Sequence, residues 1–140
     1  MTVSATAAAA TLGKLGFAGK QIIQEFGYDD DVPEDLRGEI EELIGSELED
    51  EDFNDGADGV LVWFRDGDDD LADLLVDALT KLFDQGFIIL ITPKAGRPEH
   101  VQMSDVEEAA STAGLQTGGS VNIAAEWVAT PLMPPKGSRR

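Results

Sequence analysis

The sequence predicts a three-layer α/β sandwich with a mostly parallel sheet. Two continuous apolar runs, "GVLVWF" (59–64) and "FIILIT" (87–92), read as strands covered on both faces. Between them Leu71, Leu74, Leu75, Ala78, Leu79, Leu82 and Phe83 recur at helical spacing. Strand, helix and strand in that order make a βαβ unit, whose strands are parallel and whose crossover is right-handed.

The other elements follow in chain order. Residues 1–13 are small, polar and without periodicity, which predicts a disordered lead-in. They have no basic n-region and no strongly apolar stretch, so a signal peptide is not expected. "KLGFAGKQIIQEFGY" predicts a short helix or turn, a break at Gly19, and a strand carrying Ile22, Ile23, Phe26 and Tyr28. "DDDVPEDLRGEIEELIG" predicts a helix over about 33–45, with Pro33 at its first position and Gly45 as its stop. Leu36, Ile40, Leu43 and Ile44 make its apolar stripe. "SELEDEDFNDGAD" supports a short edge strand at most, then a loop; its charge discourages edge-to-edge pairing. The central helix is expected over 69–85, ended by Gly86. Pro93 stops the strand "FIILIT", and "KAGRPEH" is a loop. Ser104 and Glu107 suggest a capping box for a helix over 104–113, closed by Gly114. "GSVNIAAEWVATPLMP" is either one bent strand or a tight hairpin. The division is therefore a lead-in (1–13), one α/β domain (14–134) and a basic tail (135–140). Val62, Leu75, Leu79 and Ile89 are the expected core.

Composition restricts the function classes. At 140 residues the chain suits one domain with one core, and 42% hydrophobic with 27% charged residues is a soluble globular profile. No apolar run approaches the roughly 20 residues that span a bilayer. The absence of cysteine removes disulfides, thiolate metal sites and thiol catalysis, and is compatible with a cytoplasmic location. The net charge of −18 is uneven. Residues 25–84 hold 23 acids against Arg37, Arg65 and Lys81, a net of −20, while the rest of the chain is +2. Such a surface repels phosphate backbones, so direct nucleic-acid binding is not expected, and it attracts basic surfaces.

Each candidate site has a plain structural alternative. The turn after the first predicted strand, "EFGYDDDVPEDL", has one glycine and places Asp29, Asp30 and Asp31 where a ligand would sit. Neither a GxGxxG nor a GxxxxGK[ST] pattern occurs. EF-hand frames from Asp50 and Asp66 fail, because their sixth positions are Asp55 and Leu71 where glycine is needed. No metal site and no cofactor are predicted. Asp68, Asp69 and Asp70 suit a helix N-terminus; Asp68 and Asp69 are also candidates for holding a partner, together with Asp29–Asp31. His100 is the single histidine, so neither a hydrolase triad nor a histidine-rich metal centre can form. Lys94, Arg97 and His100 share a loop at a strand C-terminal end, where α/β folds bind ligands; ion pairing is the plain alternative. Trp63 reads as core. Trp127, flanked by small residues, is a candidate interface residue, and it or an edge strand could mediate a homodimer.

The segments "KLGFAGKQIIQE", "GVLVWFRDGDDDLADLLVDAL", "GFIILITPKAG" and "AGLQTGGSVNIAAEWVATPLMP", in this order, resemble the bacterial domain-of-unknown-function family 3052 over about 14–134. Thr92, Pro93 and Lys94 and the late "VNIAAEW" carry most of the likeness. The resemblance implies a reduced Rossmann-type, methyltransferase-like fold without an established activity. It also implies cytoplasmic proteins with regulatory roles, the transcription machinery being one conceivable target. Two readings follow. The first is a non-catalytic interaction or regulatory module that binds a basic protein partner. The second is a small-ligand-binding protein or enzyme using the strand-end cleft near Lys94, Arg97 and His100.

Overall fold

Six strands form one sheet in the computed structural model, which describes residues 11–68 and 70–134. They are Ile23–Phe26 (β1), Ala57–Trp63 (β2), Leu82–Pro93 (β3), Gln116–Thr117 (β4), Val121–Ala124 (β5) and Trp127–Met133 (β6). The order across the sheet is β1-β2-β3-β6-β4, with β5 also on β6. Helices Glu34–Ile44 (α1), Leu71–Leu79 (α2) and Met103–Thr112 (α3) cover it.

The βαβ expectation holds: β2 and β3 are parallel neighbours, Val62 opposite Leu90. β1 is parallel to β2. The sheet as a whole is mixed, not mostly parallel, since β6 runs antiparallel to β3, β4 and β5. The late segment is a tight hairpin, with Ala124 opposite Trp127 and Ala125 and Glu126 as its turn. So short a turn can only join antiparallel strands; a parallel return needs a crossover of a dozen or more residues.

Alternation along β2 and β3 splits the core into two layers. Val60, Val62, Ile88 and Leu90 pack with Leu75 and Ala78 of α2 and with Val106 and Ala110 of α3. Leu61, Trp63, Ile89 and Ile91 pack with Leu36, Ile40 and Ile44 of α1. Both faces of the central strands are covered, which is why they read as unbroken apolar runs. Val62, Leu75 and Ile89 are fully buried, whereas Leu79 is partly buried at the edge of its layer.

Several boundaries moved. Residues 11–15 are helical, and Leu12 is buried with Leu15 in the α1 layer, so Thr11, Leu12 and Gly13 belong to the domain rather than to a lead-in. The remaining lead-in and the tail 135–140 lie outside the described residues. Pro33 is the N-cap of α1, one position earlier than expected; Gly45 ends that helix at φ +84°. Tyr28 lies beyond β1 and is exposed. The loop before β2 makes one parallel bridge, Gln24 with Glu49, on the open edge of β1.

Helix α2 stops at Leu79 although its apolar spacing continues through Phe83. Sheet pairing takes the chain away: the Ala57 N–H donates to the Lys81 carbonyl at 2.8 Å and Leu82 pairs with Ala57. Pairing resumes at Phe87 opposite Gly59, so residues 83–86 bulge, and Gly86 lies inside β3 instead of ending the helix. Helix α3 has no capping box. Its N-cap is Gln102, which makes no side-chain cap bond. Val101 just before that cap and Val106 in the second turn enter the same core layer. Burial of these positions sets the start of the helix, and it leaves Ser104 inside the first turn.

Candidate functional site

From β1 the chain crosses α1 to Glu49 on one side of β1, then enters β2 on the other side. In open α/β sheets such a reversal opens a crevice outside the C-terminal strand ends, and ligands bind there. In this chain side chains and a close strand contact occupy the crevice. Gly27, immediately after β1, has φ +79°, and a Cβ there would stand 2.2 Å from the Trp63 carbonyl oxygen at the end of β2. The single glycine of the turn thus serves close contact between two strand ends.

Arg65 lies across the same place. Its Nε and a terminal nitrogen donate to the two oxygens of Asp31 at 2.9 and 2.6 Å. The other terminal nitrogen donates to the Gly27 carbonyl at 3.0 Å and, at a longer 3.4 Å, to that of Trp63. The Asp68 carboxylate is 3.7 Å away, and the guanidinium carbon is 5.6 Å from the centre of the Trp127 ring. Hydrogen bonding from Arg65 holds the Asp31 carboxyl below the usual aspartate range, against partial desolvation, and the same contact raises the Arg65 guanidinium above its ordinary value.

A second ion pair, with a buried carboxylate, stands beside it. Glu25 on β1 is 5% exposed, which demands full pairing of its charge. Arg37 of α1 donates to both of its oxygens at 2.7 Å, and the Trp63 indole N–H donates to one of them at 2.8 Å. Arg37 also pairs with Glu34 and lies 4.5 Å from the centre of the Tyr28 ring. The Tyr28 hydroxyl donates to Glu34, which raises the phenol above its ordinary value and lowers the carboxyl.

The acidic candidates have separate tasks. Asp31 holds Arg65. Asp29 accepts from the Asp30 backbone N–H, and Asp30 is exposed. Asp68 closes a turn by accepting from the Arg65 backbone N–H. Asp70 caps α2 by accepting from the Asp73 N–H, as aspartate is suited to do. Asp69 lies outside the described residues. Trp127 is not an exposed interface residue: it is 7% exposed and packs edge to face on Trp63. The hairpin turns it inward.

The basic loop does not assemble into one site. A cleft of about 340 Å³ is lined by Asp31, Arg97, Glu99, Glu126 and Trp127 with two prolines. Of the three candidates only Arg97 lines it, and Arg97 is paired with Glu126 at 3.1 Å. His100 turns its Nδ1 to the Pro93 carbonyl of its own loop at 3.0 Å. Lys94 is half-buried, and its backbone N–H donates to Glu126. With Asp31 paired to Arg65 and Glu126 to Arg97, Glu99 leaves this cleft acidic.

Arg65, Arg37 and Glu25 were not singled out from the sequence. A signal for the arginines existed: they are two of three cations in a segment with 23 acids. Cations that scarce have many carboxylates competing for them.

The fold is that of S-adenosylmethionine-dependent methyltransferases. The chain superimposes on a precorrin-6y C5,15-methyltransferase from Geobacter metallireducens with a TM-score of 0.65, 12% identity, and coverage of 91% of this chain and 87% of that one. A TehB-like methyltransferase from Corynebacterium glutamicum gives 0.57, 12% identity and coverage of 91% and 88%. The residues of this crevice do not fit the cofactor of that fold. The Gly27 N–H is taken by the Glu51 carboxylate at 2.8 Å, Asp29–Asp31 put three acids in the turn after β1, and Arg65 paired with Asp31 lies across the strand ends. In sequence, the chain is 49% identical over 123 residues to uncharacterized proteins of Mycobacterium tuberculosis and Mycobacterium bovis, covering 88% of this chain and 77% of theirs. Residues 12–136 match the family described as protein of unknown function DUF3052, and the chain belongs to that family.

Proposed function

We propose that this protein is a non-catalytic interaction or regulatory protein that binds a basic protein partner through its acidic surface, in the cytoplasm. The observation that carries the reading is where the cations of residues 25–84 go. Arg37 is consumed by Glu25 and Glu34, Arg65 by Asp31, and Lys81 by Asn54 and the Phe53 carbonyl. Lys81, bonded to neutral acceptors, is the one of the three not held by a carboxylate, while Asp29, Asp30, Asp35, Glu42 and Glu47 are exposed. The crevice occupied by Arg65 supports the non-catalytic half. No helix among the described residues is long and apolar enough to cross a membrane.

The test is capture of partners from native lysate at low and high salt, beside calorimetry with S-adenosylmethionine. A basic protein that binds at low salt, is released as the Debye length falls below about 8 Å, and is weakened by Asp29→Asn with Asp30→Asn supports the reading. Asp31 is left unchanged in that variant because it holds Arg65. Micromolar or tighter cofactor binding overturns the reading, as does a partner indifferent to both salt and the substitutions.

A further inference from the structure

We propose that Arg65 is a built-in occupant of the crevice at the ends of β1 and β2, and that the crevice is a guanidinium site: with this side chain removed, it binds a free guanidinium cation.

The acceptors match that chemistry. A guanidinium presents five N–H donors in a planar fork. Here the Nε and a terminal nitrogen meet the two oxygens of one carboxylate, Asp31, and the other terminal nitrogen meets the Gly27 and Trp63 carbonyls. The Trp127 ring adds an aromatic wall and Asp68 a second negative charge. An ammonium ion cannot reach such a spread of acceptors at once. Gly27 follows directly on Phe26, which pairs with Val62, and Trp63 pairs with Ile91 of β3, so neighbouring sheet pairing holds both carbonyls when Arg65 is trimmed. Access exists too, because Asp31 is 44% exposed and lines the acidic cleft beside Trp127. The same acceptors oppose the carboxylate or phosphate groups of a nucleotide-type cofactor. In the intact protein the tether gives the Arg65 guanidinium an effective concentration in the millimolar range or above, which excludes a free competitor.

The experiment is chemical rescue of Arg65→Ala with methylguanidinium at millimolar concentration, well below denaturing levels. Methylammonium at equal ionic strength is the control. The expected result is a saturable rise in the thermal midpoint of Arg65→Ala, by about 3 °C or more at saturation. The intact protein and the Arg65→Ala, Asp31→Asn double variant should show no such rise. Equal responses to the two cations overturn the proposal, and so does binding of S-adenosylmethionine by Arg65→Ala. Should Arg65→Ala not fold, nuclear magnetic resonance of the intact protein decides. A slowly exchanging Arg65 Nε–H that becomes fast in Asp31→Asn supports the occupant; fast exchange in the intact protein overturns it.

Discussion

The indole rings of Trp63 and Trp127 meet edge to face, their centroids 5.2 Å apart and their planes at 82°. This contact joins the two ion pairs, since Trp63 donates to Glu25 and Trp127 lies against Arg65. Replacing either tryptophan with alanine should cost about 3–5 kcal/mol. A double-mutant cycle in urea should return a coupling of about 0.5–1.5 kcal/mol. Additive losses would mean that the rings pack independently.

Leu75 and Leu79 should separate clearly. Leu75 is fully buried between α2 and the sheet, and Leu79 is partly exposed in the last turn before the chain leaves for β3. Leu75→Ala should lose about 2–5 kcal/mol, and Leu79→Ala clearly less. Equal losses in urea unfolding would place Leu79 as deep as Leu75.

Gly27 tolerates no side chain. Its φ of +79° disfavours L-residues, and a Cβ would strike the Trp63 carbonyl. Gly27→Ala should cost about 2 kcal/mol or more and loosen the Arg65 contacts. Differential scanning calorimetry beside Gly13→Ala, where the added carbon meets nothing within 4 Å, provides the comparison.

Acid should weaken the Asp31–Arg65 contact. The hydrogen bonds from Arg65 depress the folded pKa of Asp31 below its unfolded value of about 4. The sign follows: the contribution is full above the unfolded pKa and is lost as pH falls through the folded one. The stability difference between the intact protein and Asp31→Asn should therefore be full at about pH 6 and shrink below about pH 4. An unchanged difference in urea unfolding at about pH 3 would remove Asp31 from the acid response.

The fold was legible because its signals are local and repeated. The apolar runs at 59–64 and 87–92 and the stripe from Leu71 to Ala78 fix strands, helix and parallel pairing through periodicity alone. Periodicity misled where a tertiary partner competed. Leu82 and Phe83 continue the helical spacing, but pairing with Ala57 takes them into β3. Ser104 and Glu107 have capping-box spacing, but burial of Val101 and Val106 sets the start of α3. The site was less legible. Composition alone marks the turn after β1 as acidic and poor in glycine, and hence unlike a phosphate cradle. That Asp31 holds Arg65, that Glu25 is buried under Arg37 and Trp63, and that Trp127 faces inward emerge from the folded arrangement. Each of these contacts joins residues far apart in the chain. Charge and spacing count the available partners, but which carboxylate receives which guanidinium depends on the register that brings the ends of β1 and β2 together.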